Sequence, residues 1–287
     1  SLVRGLPATV PFVGPETQER NQGYGFKARI GANESVFGPS PLAIQAMKEA
    51  ASETWMYGDP EFHDLRQDLA AHHQVAPENI MVGEGIDGLL GYVARMFVEP
   101  GDRVVTSAGA YPTFNYHVNG YGGTLEFVPY RRDREDLDAL METATKLQAK
   151  LIYVSNPDNP MGSWWDSESI NDMLKKIPDG SLLILDEAYG EFAPPGTLPP
   201  LDLDNQRVLR MRTFSKAYGL AGMRVGYAIG NAELIKEFNK IRNHFGVGRV
   251  AQAGARAALK DSVHLQKVLK QVADSLETIR NIALDNG

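Results

Sequence analysis

Short apolar runs recur along the chain at intervals that leave room for helices between them. Ile80 to Val82, Arg103 to Ser107, Thr124 to Tyr130, Lys150 to Ser155, Leu182 to Asp186, Val208 to Thr213 and Val225 to Ile229 each read as a buried strand. The intervening segments carry helical spacing, notably Leu65 to His73, Asp87 to Phe97, Leu137 to Leu147 and Glu168 to Lys176. Ser40 followed by Pro41 predicts a capped helix start running to Ala50. Ala232 to Arg242 and Ala251 to the end read as helical, and residues 1 to about 40 as an irregular Gly/Pro-rich arm. Apolar strands alternating with helices predict a three-layer α/β/α domain on a mostly parallel sheet, with ligands at the carboxyl ends of the strands. Trp55 to Pro60 reads as a loop, and Arg131 to Asp136 as a solvated charged loop.

Composition narrows the function classes. The 287 residues carry 29 Lys and Arg against 36 Asp and Glu, and a net −7 disfavours a nucleic-acid or anionic-membrane surface. There is no cysteine, so disulfides and thiolate metal sites are excluded. Ser1 to Pro15 is apolar but broken by Pro7, Pro11, Gly14 and Pro15, which opposes a signal helix, and no apolar run approaches the ~20 residues of a membrane span. A cytoplasmic location is expected. The six histidines include no H-E-x-x-H, and His72-His73 reads as a helix surface; a G-x-S-x-G elbow is absent.

Arg212-Thr213-Phe214-Ser215-Lys216 follows one strand, and Arg224 precedes the next. A lysine shielded between two strands loses solvation, which lowers its pKa and frees a nucleophilic amine. Ser215 and Arg224 suit a phosphate beside it, so the stretch fits an enzyme holding pyridoxal phosphate on Lys216; a plain surface turn is the competing reading. Gly83-Glu84-Gly85-Ile86-Asp87-Gly88 fits G-x-G-x-x-G, but the acidic residue that a dinucleotide ribose needs is misplaced at Glu99 or Asp102. A phosphate cradle at a helix N-terminus, or a tight structural turn, explains it better. Ser181 to Tyr189 looks like the second motif of P-loop ATPases, yet no Gly-Lys pair occurs in the chain. Asp186 at that strand's tip is placed to face a pyridine nitrogen, or to cap the next segment, and Tyr189 could donate to a phenolic oxygen. Asn159 is placed for an amide contact or an ordinary turn, and Tyr111 for stacking on a flat ring or for core packing.

Taken in order, these pieces resemble the fold-type-I pyridoxal-phosphate aminotransferases, and most closely the histidinol-phosphate aminotransferase branch. The resemblance rests on Gly31 to Glu34 with Phe37 to Ser40, Tyr57 to Pro60, Gly83 to Gly85, Tyr111, Asn159 to Gly162, Asp186 to Tyr189, and Ser215-Lys216 with Arg224. It implies that Lys216 forms the Schiff base and shuttles the proton, that Asp186 holds the pyridinium, and that Tyr189 and Asn159 bond its O3′. It also implies that Tyr111 stacks on the ring. Glu84 and Gly85 amides, Thr213, Ser215 and Arg224 would line the phosphate, Tyr57 would reach the neighbouring subunit of a homodimer, and Asn33 and Phe37 would border the substrate. The implied reaction is ping-pong transfer of an amino group between histidinol phosphate, or another amino acid, and a 2-oxo acid such as 2-oxoglutarate, in histidine biosynthesis. The alternatives on the same fold are a decarboxylase of the threonine-phosphate type and a carbon–sulfur lyase; a nucleotide-binding module built on the Gly83 loop is a third, from another class. The resemblance divides the chain into an arm at 1–40, a large cofactor-binding domain at 41–245, and at 246–287 an interdomain helix opening a small domain. The rest of that small domain, with its substrate-carboxylate arginine, is expected past Gly287. Two motifs depart from the family: Met161 replaces the usual threonine of Asn-Pro-Thr-Gly, and Ser35-Val36-Phe37-Gly38 replaces Asn-Pro-Tyr-Gly.

Overall fold

A computed structural model describes residues 2–6 and 13–286. Ser1, the stretch 7–12 with Pro7 and Pro11, and Gly287 lie outside the described residues. Seven strands form one sheet: β1 (Ile80–Gly83), β2 (Arg103–Ser107), β3 (Thr124–Val128), β4 (Leu151–Ser155), β5 (Leu182–Asp186), β6 (Val208–Thr213) and β7 (Gly226–Gly230), in the order β1-β7-β6-β5-β4-β2-β3. Only β7 runs against its neighbours, pairing antiparallel with both β6 and β1. The α/β expectation of a mostly parallel, seven-stranded sheet is met.

Both faces of the sheet are covered because successive strand residues point to opposite sides. In β4, Leu151 and Tyr153 join one apolar cluster while Ile152 and Val154 join another. The first cluster packs under α5 (Gly85–Phe97), α6 (Thr113–Gly120) and α9 (Ala232–Glu237), and the second under α7 (Leu137–Leu147) and α8 (Ser167–Leu174). A third buries Ile80, Val82, Tyr227 and Ile229 beneath α3 (Pro41–Ala51), α4 (His63–His73) and α10 (Arg249–Lys260). Ser40 Oγ accepts the Ala43 N–H at 3.0 Å, closing the start of α3. Ser40→Ala is expected to cost about 1 kcal/mol in urea unfolding.

Four expectations are corrected. The arm is not wholly irregular, since α1 (Leu2–Gly5) and α2 (Pro15–Gln22) are helical; α2 has Pro15 at its first position and a left-handed Gly23 ending it. The C-terminal helical stretch is interrupted at Asp261, whose side chain accepts the His264 N–H and starts α11 (Ser262–Asp285) afresh. The run Arg131 to Asp136 is not simply a solvated loop. Glu135 is only 1 % exposed and accepts the Ser155 N–H, while Asp136 caps α7. His73 is not a surface residue either: its ring meets the Tyr227 hydroxyl at 2.8 Å. Burial, first, and the charge of Arg212 push that imidazole down to about 3, so it is neutral.

The parallel strands set the position of the site. β2 leads outward to β3, and the next connection crosses back to β4 on the other side of β2, so the side on which successive strands are added switches between the parallel β2 and β4. Their carboxyl ends open there, as do those of β5, β6 and β1.

Candidate active site

Each side chain of the site comes from one of these strand ends. Tyr111 follows β2, Asn159 follows β4, Asp186 ends β5, Thr213 ends β6, and Ser215 and Lys216 lie just beyond it. Arg224 lies just before β7, and the β1–α5 turn completes the rim. A single cleft is lined by Tyr111, Asn159, Asp186, Tyr189, Lys216 and Arg224, together with Thr213 and Ser215.

Asp186 is 5 % exposed and holds two donors: the Tyr153 hydroxyl at 2.7 Å on Oδ2 and the Ala188 N–H at 2.9 Å on Oδ1. Burial nonetheless pushes its carboxyl up to about 6, outweighing those hydrogen bonds. Such a carboxylate gains from a cationic N–H placed against it. Beneath it, Glu187 holds Arg210 at 2.5 Å and Arg212 at 2.8 Å, fixing the strand end that carries Asp186.

Lys216 is half-buried, and its Nζ donates at 3.5 Å and 3.4 Å to the Ala32 and Asn33 carbonyls of the arm. Burial and then the charge of Arg224 lower its pKa, against the pull of Asp186 and Glu34. The Tyr189 ring lies 5.5 Å from that Nζ. Its hydroxyl accepts the Asn33 amide at 2.9 Å and the Asn159 amide at 3.4 Å, which leaves its own hydrogen free to donate. Burial raises the Tyr189 pKa, so the phenol keeps that proton.

A cationic corner lines the same cleft. Arg224 takes a left-handed φ of 55° at the end of its turn and reaches Ser215 Oγ at 3.4 Å. Thr213 Oγ1 accepts the Ser215 N–H at 3.0 Å. The turn at Gly85 packs on Arg224 so tightly that a Cβ there would lie 2.6 Å from Arg224 Nη2, and its φ of +74° independently suits glycine. The first turn of α5 lies beside it, with Ile86 and Asp87 lining the same cleft as Arg224.

The site residues expected from sequence meet here with three qualifications. Ile86 and Asp87 line the cleft and Gly85 packs on Arg224 at its edge, while the Glu84 carboxylate turns away to the Tyr92 hydroxyl at 3.0 Å. Asn33 and Phe37 border an adjoining cleft shared with Lys216, Trp164, Phe192, Val272 and Leu276. Tyr57 touches neither cleft: it is 76 % exposed, with its ring 4.6 Å from that of Phe245. Tyr153 was missed. It sits inside an apolar strand, on the same face as Ser155, whose register partner is Asp186, and strand pairing cannot be read from one run alone. The dinucleotide reading of the glycine turn fails, because β2 ends at Ser107 and offers no carboxylate to a ribose. Among the described residues no group of His, Asp and Glu could hold a metal ion, and no helix is long and apolar enough to cross a membrane.

The donor set fits pyridoxal phosphate: a buried carboxyl for the ring nitrogen, a phenol and amide for the ring oxygen, an amine with lowered pKa, and a cationic corner beside a helix N-terminus. Comparison with known proteins points the same way. The chain is 38% identical over 269 residues to a histidinol-phosphate aminotransferase of Anaeromyxobacter sp. (strain Fw109-5), covering 92% of this chain and 74% of that relative. The crystal structure of histidinol-phosphate aminotransferase from Sinorhizobium meliloti, in complex with pyridoxal-5'-phosphate, superposes with a TM-score of 0.96 at 52% identity, over 99% of this chain and 77% of that one. L-threonine-O-3-phosphate decarboxylase from Porphyromonas gingivalis shares the fold alone, with a TM-score of 0.70 at 22% identity over 79% of this chain and 70% of that one. Residues 27–284 match the family described as Aminotransferase class I and II, and with the cleft at the strand ends built as it is, this chain belongs to that family.

Proposed function

We propose that this aminotransferase takes its amino group from histidinol phosphate and passes it to a 2-oxo acid such as 2-oxoglutarate, by a ping-pong mechanism. The observation that carries the donor is likeness along nearly the whole chain to histidinol-phosphate aminotransferases, at identities well above those that reflect fold alone. The decarboxylase reading has only the shared fold behind it.

The cofactor is pyridoxal phosphate, which supplies an aldehyde that condenses with amines and a ring that draws electrons from the substrate α-carbon. Asp186 would hold the proton of the ring nitrogen, favoured by the burial that makes an unpaired carboxylate there costly. Tyr189 would donate to the ring oxygen, with Asn159 fixing the phenol. Tyr111 would cover the ring. Thr213, Ser215, Arg224 and the first amides of α5 would bind the phosphate. Lys216, its ammonium already destabilised by burial and by Arg224, gives up its proton easily. Once deprotonated, its amine would be placed to take a proton from the substrate α-carbon and hold it on Nζ for return. The arm carbonyls of Ala32 and Asn33 hold Nζ between these events, and Asn33 and Phe37 border the substrate. Tyr57, exposed beside Phe245, extends to the cleft of a second copy in a homodimer. The enzyme works in the cytoplasm.

A donor screen tests the reading. The protein, supplied with pyridoxal phosphate and 2-oxoglutarate, is offered histidinol phosphate, phenylalanine, tyrosine or aspartate, and glutamate release is measured. Histidinol phosphate is expected to give the highest kcat/KM, by at least about tenfold, the discrimination that about 1.4 kcal/mol of transition-state binding supplies. Equal or better use of an aromatic amino acid would overturn the donor assignment. Carbon dioxide release without glutamate would favour the decarboxylase.

A further inference from the structure

Tyr130 belongs to none of the groups described above, yet it touches both loops that reach over the cofactor cleft. It follows β3, the edge strand paired to β2, and stands half-buried. Its hydroxyl donates to the Asp158 carboxylate, 3.0 Å from Oδ2 and 3.2 Å from Oδ1. Its ring lies against Gly109, where a Cβ would be 3.3 Å from Tyr130 Cε2 and where φ is +99°. Gly109 stands two residues before Tyr111, and Asp158 one residue before Asn159.

Asp158 is the inner post of the Asn159 loop. It is 4 % exposed and also accepts the Met161 N–H at 3.2 Å. Its own backbone closes the loop, from its N–H to the Ser163 carbonyl at 2.8 Å and from Gly162 N–H to its carbonyl at 3.0 Å. The base of the loop is clamped separately, by the Asn156 amide on both the N–H and the carbonyl of Trp165. The clamp fixes where the loop leaves the sheet; the Tyr130–Asp158 bond fixes its tip. That tip carries the amide that meets Tyr189 at 3.4 Å.

We propose that Tyr130 is a positioning residue that ties the Tyr111 loop to the Asn159 loop, and so sets Asn159 against the cofactor's ring oxygen through Asp158. The inference rests on the pyridoxal-phosphate site. Removing the hydroxyl leaves a buried carboxylate with one fewer donor while sparing the ring contact on Gly109, so the loop tip loosens and the fold does not.

The test uses the full chain. In Tyr130→Phe the dissociation constant of pyridoxal phosphate is expected to rise about five- to tenfold, the scale of one ordinary net hydrogen bond, here that of the Asn159 amide. Asp158→Asn, whose side-chain oxygen still accepts, is expected to stay within about twofold of wild type. In an Asn159→Ala background Tyr130→Phe is expected to add less than about twofold, because the contact it serves is already gone. Amide hydrogen exchange at Met161 and Gly162, measured on cofactor-free protein, is expected to quicken in Tyr130→Phe while the thermal midpoint falls by no more than about 2–4 °C. An undiminished effect in the Asn159→Ala background, or unaltered exchange, would overturn the proposal. Asp158→Ala removes the same bond from the other side and carries the same comparisons should Tyr130→Phe fail to fold. Wild-type protein that takes up no pyridoxal phosphate would sink the cofactor assignment instead, and the exchange measurement would still decide whether Tyr130 holds the loop.

Discussion

Lys216→Ala protein, mixed with pyridoxal phosphate and reduced with borohydride, is expected to show no covalently attached cofactor by mass spectrometry. Wild type is expected to carry one equivalent, on the peptide containing Lys216. The turnover of the variant should fall at least about 10⁴-fold if, as proposed, one side chain is to supply both the covalent anchor and the proton transfer. Lys216→Arg separates charge from chemistry. A guanidinium keeps the positive charge near Asp186 but cannot be deprotonated in a protein, so it should be as inactive as the alanine variant. Labelling of the alanine variant at any other lysine, with activity retained, would remove Lys216 from the mechanism. The lysine is poised for this work by position. Burial and the neighbouring Arg224 both oppose its charged form, and the carbonyls of Ala32 and Asn33 hold it only at long distance.

Asp186→Asn should act in opposite directions on stability and catalysis. The Asp186 carboxyl, ordinarily near 3.8, is pushed up to about 6 by burial. Between those values the unfolded chain has released a proton that the folded chain retains, so the stability of the cofactor-free protein falls as pH rises through that window and stays low above it. An amide of the same shape has no such window. Cofactor-free Asp186→Asn is therefore expected to exceed wild type in stability at pH 8, by on the order of 3 kcal/mol, and to match it near pH 3.5. With the cofactor bound, the same variant should turn over about 10²- to 10³-fold more slowly, because the ring nitrogen no longer has a carboxylate to hold its proton. Thermal melts at the two pH values and steady-state rates check both halves. Equal stabilities at pH 8 would show that the buried carboxyl is not strained; an unchanged rate would remove it from the ring nitrogen.

The sheet was readable because its strands are contiguous apolar runs closed by turn residues, and Leu182 to Asp186 stands in the fold as its pattern predicts. The helices that sequence missed lack that contrast. In α6 only Phe114 and Val118 are buried, among Tyr, Asn and His, and α2 buries nothing. Pro15 and Gly23 mark the ends of α2, but punctuation without an apolar face resembles a loop. The chemistry-bearing residues at the strand ends were legible for a different reason. A sheet with one crossover reversal leaves few places for a flat, anionic ligand, and Lys216, Asp186 and Arg224 each stand at a strand boundary. What stayed hidden depends on register between strands or on side-chain direction. Tyr153 under Asp186, Glu135 turned inward from a charged run, and Glu84 turned away from the cleft are facts of pairing and packing, with no local signature.

The reversed direction of β7 bears on how the chain assembles as it is made. Strand β1 has a single partner, and Ile80 pairs with Ile229, about 150 residues later. At synthesis rates of about 5–20 residues per second, roughly eight to thirty seconds separate the emergence of the two strands. Throughout that interval Ile80, Met81 and Val82 have a bare hydrogen-bonding edge and no sheet to lie in. β4 and β5, by contrast, meet across a single crossover that contains α8. The nascent chain thus carries an unpaired apolar strand until the turn bearing Lys216 has been translated, and the same return strand that closes the sheet also brings Arg224 to the lysine's side.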